Sequence, residues 1–138
     1  MYNRDKEGIE RNILLGIEGS FIQDYESLVL NRPSSFYVQV LENSEVVHID
    51  FEQYSQLMNT SLNWATCGRM TNQFILMGVM KRMRSFLMLT PEQIYMNILR
   101  EEPYLLERFS LEHIASYIGI KRESLSRIRK RLSVEHRI

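Results

Sequence analysis

The segment Leu111–Leu132, LEHIASYIGIKRESLSRIRKRL, constrains the fold more than any other part of this 138-residue chain. Ser110 can cap a first helix, and Gly119 can supply the positive φ that a tight turn between two helices needs. Ala115 is small where two helices would cross closely, and Leu125 is spaced to point inward from a second helix. The spacing therefore predicts a helix-turn-helix.

The side chains left on the outside of the second helix are mostly basic. Arginine can bond bidentately to guanine, and glutamate can accept a hydrogen bond from the amino group of cytosine. We predict base readout by Arg122, Glu123, Ser126 and Arg127, and phosphate contacts by Lys121, Ser124, Arg129, Lys130 and Arg131. The alternative is an ordinary helical hairpin with a basic, solvated face.

The charge distribution favours the DNA-binding interpretation. The chain has no formal net charge, but residues 1–60 carry 4 Lys and Arg against 10 Asp and Glu, a net charge of −6. Residues 119–138 carry 7 against 2, a net charge of +5. A basic terminus on an acidic body is typical of a surface that meets a polyanion.

The rest of the chain predicts an α+β fold. Alternation over residues 35–41 and 45–50 predicts two strands of a hairpin, after one or two helical turns in DYESLVL. Asp50 can cap the next helix, and the period then becomes helical from about 63 to 89. Thr90 and Gln93 form a capping box for a further helix.

The long helix is apolar around much of its circumference. Such a helix needs partners on two sides, and a second copy of the same helix is the simplest second partner. We predict a dimer interface at Met70, Phe74, Met77, Met80, Met83 and Leu87. The alternative is that these side chains are ordinary core beneath the C-terminal helices.

Several functional classes are not favoured. Cys67 is the only cysteine, and the three histidines are far apart, so we predict no metal site. No nucleophile–base pair or phosphate-binding loop is present, so we predict no catalytic residues and no enzyme. No apolar run approaches the roughly 18 residues of a membrane span, and the charged N-terminus predicts a cytoplasmic protein.

The segment GIKRESLSRIRKRL resembles the recognition element of Crp/Fnr-family bacterial transcription regulators, with Arg122-Glu123 one turn before Ser126-Arg127. The resemblance implies a partial cyclic-nucleotide-binding-like β-roll over 1–60, a dimerisation helix over 61–89 and a helix-turn-helix domain over 90–138. It also implies half-sites with a TGA core. Only six residues follow Leu132, so the family's β-hairpin wing is expected to be missing.

The region that resembles the family's effector cassette departs from its pattern. Gln23-Asp24 stands where the family has Gly-Glu, and Ser34-Ser35 stands where it has the phosphate-binding Arg-Ser. Without that arginine a buried cyclic phosphate loses its charge partner, so we predict a degenerate cassette and no cofactor, cyclic nucleotides included.

The function implied is a sequence-specific DNA-binding regulator that acts as a homodimer on a palindromic operator. Its partners would be double-stranded DNA, a second copy of the chain and RNA polymerase. It would not associate with a membrane. One alternative is a ligand-sensing module whose DNA binding is secondary or lost. The other is an enzyme of unknown type with a basic tail.

Overall fold

The computed structural model describes residues 1–135, which are mostly helical with one small antiparallel sheet. The strands are β1 (Tyr2–Arg4) and β2 (Glu10–Asn12). The helices are α1 (Tyr25–Leu30), α2 (Phe51–Thr60), α3 (Leu62–Met88), α4 (Pro91–Glu101), α5 (Tyr104–Arg108), α6 (Leu111–Ile118) and α7 (Arg122–Glu135). This composition is consistent with the predicted α+β class.

The chain forms two compact units. One combines Met1–Gln39 with Leu89–Ile138, and the other is Val40–Met88. This grouping differs from the predicted domains at 1–60, 61–89 and 90–138, which stay a prediction. The N-terminal residues pack with the C-terminal helices, although the two are far apart in sequence.

The sheet is a short hairpin in register Tyr2↔Asn12, Asn3↔Arg11 and Arg4↔Glu10. Its turn is closed by the Asp5 carboxylate, which accepts hydrogen bonds from the amides of Glu7 and Ile9 at 3.0 and 2.9 Å. Gly8, with φ of 78°, takes the left-handed position that the turn requires.

The predicted hairpin over residues 35–41 and 45–50 is wrong. Apart from one isolated bridge between Tyr2 and Tyr37, these residues have no strand pairing. Val46 and Val47 are 74% and 86% exposed, so nothing covers the apolar faces that such strands would present. A two-stranded hairpin without a second layer is marginal in water. Within the described residues, the strand pairing of the predicted β-roll is thus limited to β1, β2 and this bridge.

The unit Val40–Met88 is a pair of helices. The Asp50 side chain caps α2 by accepting from the Glu52 amide at 2.8 Å, as predicted. Gly68 is the buried residue of α3, and a Cβ there would lie 2.5 Å from the Met58 sulfur and 2.7 Å from the Tyr54 hydroxyl. Glycine therefore allows the close approach of α2 to the beginning of α3.

The six side chains predicted at the dimer interface are exposed in the single chain. Their exposed fractions run from 48% at Met83 to 73% at Phe74. The dimer interface and the alternative, core beneath the C-terminal helices, both stay predictions. Covering this apolar face requires another surface.

The core of the other unit lies among α4, α5, α6 and α7. Its buried members are Tyr95, Ile98, Leu105, Ile114, Ala115, Ile118 and Leu125, each no more than 5% exposed. The predicted capping box at the start of α4 is present: Thr90 and Gln93 each accept the other's backbone amide. Leu15 also packs on this core, so the N-terminal segment contributes to it.

Candidate nucleic-acid interface

The turn between α6 and α7 forms as its sequence predicts. The Ser110 hydroxyl caps α6 by accepting from the His113 amide at 3.2 Å. Gly119 has φ of 88°, and its amide donates to the carbonyls of Ala115 and Ser116 at 2.9 and 3.1 Å. The Ile120 amide also donates to Ala115, at 3.0 Å. A left-handed residue that ends one helix while the next begins gives the sharp turn of a helix-turn-helix.

The angle of α7 is fixed by apolar contacts with α6. Leu125 is fully buried, and Ile114 and Ala115 are each 1% exposed. Ile120 and Ile128 are half-buried and pack against this cluster. A small residue at 115 and a large one at 125 let the helices meet closely, as the sequence predicts. The opposite face of α7 is thereby turned outward.

That outward face carries the predicted base-reading residues together. Arg122, Glu123, Ser126 and Arg127 are all exposed in the first half of α7. Residues four apart are neighbours on a helix surface, which places Arg122 beside Ser126 and Glu123 beside Arg127. Ser124, a predicted phosphate contact, is half-buried on the flank.

The cations on this face are not neutralised by the carboxylates that the structure describes. Lys121, Arg122, Arg127, Arg129 and Lys130 make no ion pair with any carboxylate that the structure describes. Elsewhere in the same unit arginines do have such partners: Arg4 with Glu10, Arg11 with Asp5, Arg32 with Glu26, Arg100 with Glu101 and Arg108 with Glu18. Among the described residues of this unit, positive charge without a carboxylate partner is therefore concentrated at Lys121 and along α7.

Arg131 differs from those five cations. Its guanidinium forms a two-pronged ion pair with Glu92 in the first turn of α4, with Nε 3.3 Å from Oε1. Arg131 was predicted to contact phosphate, and here any phosphate must compete with a carboxylate. The sequence did not predict Glu92 as the partner of Arg131, because the two residues lie far apart in the chain.

The degenerate cassette brings two of its four residues into contact. The Ser34 hydroxyl donates to the Asp24 carboxylate at 2.8 Å, and Asp24 also caps α1 by accepting from the Ser27 amide. The Ser34 hydrogen bond is the largest cause that lowers the pKa of Asp24. The Ser35 backbone is the last of the causes that lower this pKa, and Gln23 is half-buried. The charged group at this position is therefore the Asp24 carboxylate, and a carboxylate repels a phosphate.

A connection that the sequence did not predict joins the N-terminal hairpin to α6. The Asn12 amide donates to the Ser116 hydroxyl at 2.9 Å, and that hydroxyl donates to the Glu10 carbonyl at 3.0 Å. The Asn12 side chain donates to the His113 carbonyl at 3.2 Å. These bonds hold β2 against the first helix of the helix-turn-helix. No local sequence pattern predicts these bonds, because the residues they join lie about a hundred positions apart in the chain.

Other types of site have little support in residues 1–135. No group of three or more Cys, His, Asp or Glu side chains there is arranged to hold a metal ion. None of the described helices is both long and apolar enough to cross a membrane.

Comparison of the chain with protein-family models, with curated proteins and with solved structures gave no match.

Proposed function

We propose that this protein is a sequence-specific DNA-binding transcription regulator of the Crp/Fnr type that acts as a homodimer on a palindromic operator. The observation that carries the proposal is a cluster of five cations, Lys121 just before α7 and four more on the exposed face of this helix, none of which has a carboxylate partner among the described side chains. Cations that have no internal counter-ion are available to replace the counter-ions condensed on DNA.

The geometry of α7 supports two roles for its exposed side chains, base readout and phosphate contact. A recognition helix places its N-terminal residues against base edges in the major groove. Arg122, Glu123, Ser126 and Arg127 occupy that end and are exposed. Arg127 would bond a guanine and Glu123 a cytosine, while Lys121, Arg129 and Lys130 would contact phosphates. Resemblance to the family adds the expectation of a TGA core.

The homodimer is supported by the exposed apolar face of α3. A helix face with Met70, Phe74, Met77, Met80, Met83 and Leu87 exposed is stabilised when a second copy covers it. A two-fold dimer presents two recognition helices, so the operator would be palindromic, with half-sites about one helical turn apart. RNA polymerase as a partner and a cytoplasmic location belong to the same proposal.

Selection of bound fragments from random double-stranded DNA tests the proposal. The expected result is an enriched palindrome whose half-site contains a guanine read by Arg127. A titration of that site at two salt concentrations should show an affinity that falls steeply with salt, because several phosphates are neutralised. Enrichment of no sequence, together with an affinity that does not depend on salt, would rule out the proposed function.

A further inference from the structure

A groove runs between α4 and α7, beside the proposed DNA-binding face, and it shares Ser126, Arg129 and Lys130 with that face. Its floor is apolar and consists of Tyr95, Met96, Leu99 and Leu132. Met96 and Leu99 are 42% and 45% exposed, although they lie on a helix whose other face forms the core. The proposed readout of DNA uses none of these four side chains.

The rim of the same groove is positively charged. Arg129 and Lys130 line it from α7, and Arg100 lines it from α4. Arg100 interacts with Asn97 and Glu101, whereas Arg129 and Lys130 have no carboxylate partner among the residues described. The groove therefore combines an apolar floor with two cations for which the described part of the chain supplies no carboxylate.

This combination selects a particular kind of occupant. Nucleic-acid backbone would satisfy the cations but leaves Met96 and Leu99 without apolar contacts. A small ligand is normally enclosed over most of its surface, whereas this groove is partly open to solvent. An amphipathic helix can place apolar side chains on the floor and acidic side chains against the rim, which is a common mode of recognition.

We propose that the groove between α4 and α7 binds an acidic amphipathic helix of a partner protein. The groove follows α7 from Ser126 to Ser133, which corresponds to about 10 Å, or two turns of a bound helix. Leucines of the partner would contact Met96 and Leu99, and its glutamates would pair with Arg129 and Lys130. The charge complementarity identifies the acidic class of partner.

Occupation of the groove should lower the affinity for DNA. This inference rests on the proposed function. Arg129 and Lys130 are the same cations that would contact phosphates. A partner helix in the groove therefore competes with DNA for them, and it lowers DNA affinity without touching Arg127.

Fluorescence polarisation with a labelled synthetic peptide tests the docking without any DNA. The probe is an amphipathic peptide of about four helical turns with leucines on one face and glutamates elsewhere. We expect micromolar binding, weakened about five- to tenfold by Leu99→Ser and by Lys130→Gln. A peptide with lysines in place of the glutamates should bind at least about tenfold more weakly.

Matched variants separate the groove from other parts of the protein. Val134→Ser removes an exposed apolar side chain of α7 that does not line the groove, and Lys6→Gln removes an exposed cation of the N-terminal hairpin that does not line it either. Both should leave peptide binding unchanged.

Absence of binding, or equal losses in the groove variants and these controls, overturns the docking proposal. A loss of DNA affinity in Leu99→Ser also overturns it, because the floor would then belong to the DNA surface. Failure of DNA binding alone, with peptide binding intact, contradicts only the proposed function.

Discussion

Arg131 of α7 forms an ion pair with Glu92 of α4, and the pair joins two helices whose residues lie 39 positions apart in the chain. The Glu92 side chain is 29% exposed and the Arg131 side chain 55% exposed. The pair ties the C-terminal half of α7 to the capped start of α4. It makes Arg131 part of the scaffold that orients α7.

The first prediction follows from this pair. Arg131→Ala should lower the free energy of unfolding by about 0.2–1 kcal/mol, the usual range for an exposed ion pair. It should also change the salt dependence of DNA binding less than Arg129→Ala, because Arg129 has no carboxylate partner among residues 1–134 that competes with phosphate. Thermal unfolding and titrations at two salt concentrations measure the two effects. A larger change in salt dependence for Arg131→Ala would show that DNA displaces Glu92.

The second prediction concerns the dimer. Met80→Glu should give monomers in light scattering, because the proposed interface would then bury an unpaired carboxylate at a cost of several kcal/mol. Met80 is 51% exposed in the single chain, so the monomer should fold normally. Met80→Leu keeps the volume and apolar character and should remain dimeric. A Met80→Glu protein that is still a dimer would place the interface elsewhere.

The third prediction concerns the carboxylate of Asp24. The Ser34 hydroxyl favours its charged form, so its pKa in the folded protein lies below the ordinary value of 3.8. The stabilisation is present above the unfolded pKa and is lost as pH falls through the lower, folded pKa. Ser34→Ala should raise the pKa of Asp24 in an NMR titration, whereas Ser44→Ala, which removes an exposed hydroxyl bonded to the Glu42 carbonyl, should not. An unchanged pKa in Ser34→Ala would contradict the assigned cause.

The fourth prediction is that cyclic AMP does not bind in the micromolar range. Asp24 places a negative charge 2.8 Å from the Ser34 hydroxyl, and the neighbouring Arg32 is paired with Glu26. A cyclic phosphate at this site would therefore face a carboxylate without a free cation from these residues. Isothermal calorimetry should give no binding heat. Micromolar affinity would mean that another part of the protein supplies the charge.

The parts of the fold that could be predicted from the sequence are those set by local chemistry. Asp50, Thr90 and Ser110 cap the helices that they were expected to cap, and Gly119 ends α6 in the left-handed conformation. Each of these needs only a few consecutive residues. The burial of Leu125 was predictable in the same way, from a helical period around a known turn.

The parts that could not be predicted depend on distant partners. The β pattern at residues 45–50 does not form a strand, because a strand also needs a neighbour and a covering layer. The bonds from Asn12 to α6, and from Glu92 to Arg131, join side chains with no spacing rule between them. For that reason the sequence identified the cations of α7 but not which of them is already paired.

The measurement that tests the central claim most directly compares Arg127→Ala with Arg129→Ala on the selected operator and on random DNA. Arg127→Ala should cost about 1–3 kcal/mol on the operator, relax the preference for its guanine and leave binding to random DNA nearly unchanged. Arg129→Ala should lower the affinity for both DNAs by similar factors. It should also reduce the slope of log affinity against log salt concentration by about one unit, because one phosphate contact is lost. If Arg127→Ala weakens random DNA as much as the operator, then Arg127 contacts only phosphate and α7 does not read the sequence as proposed.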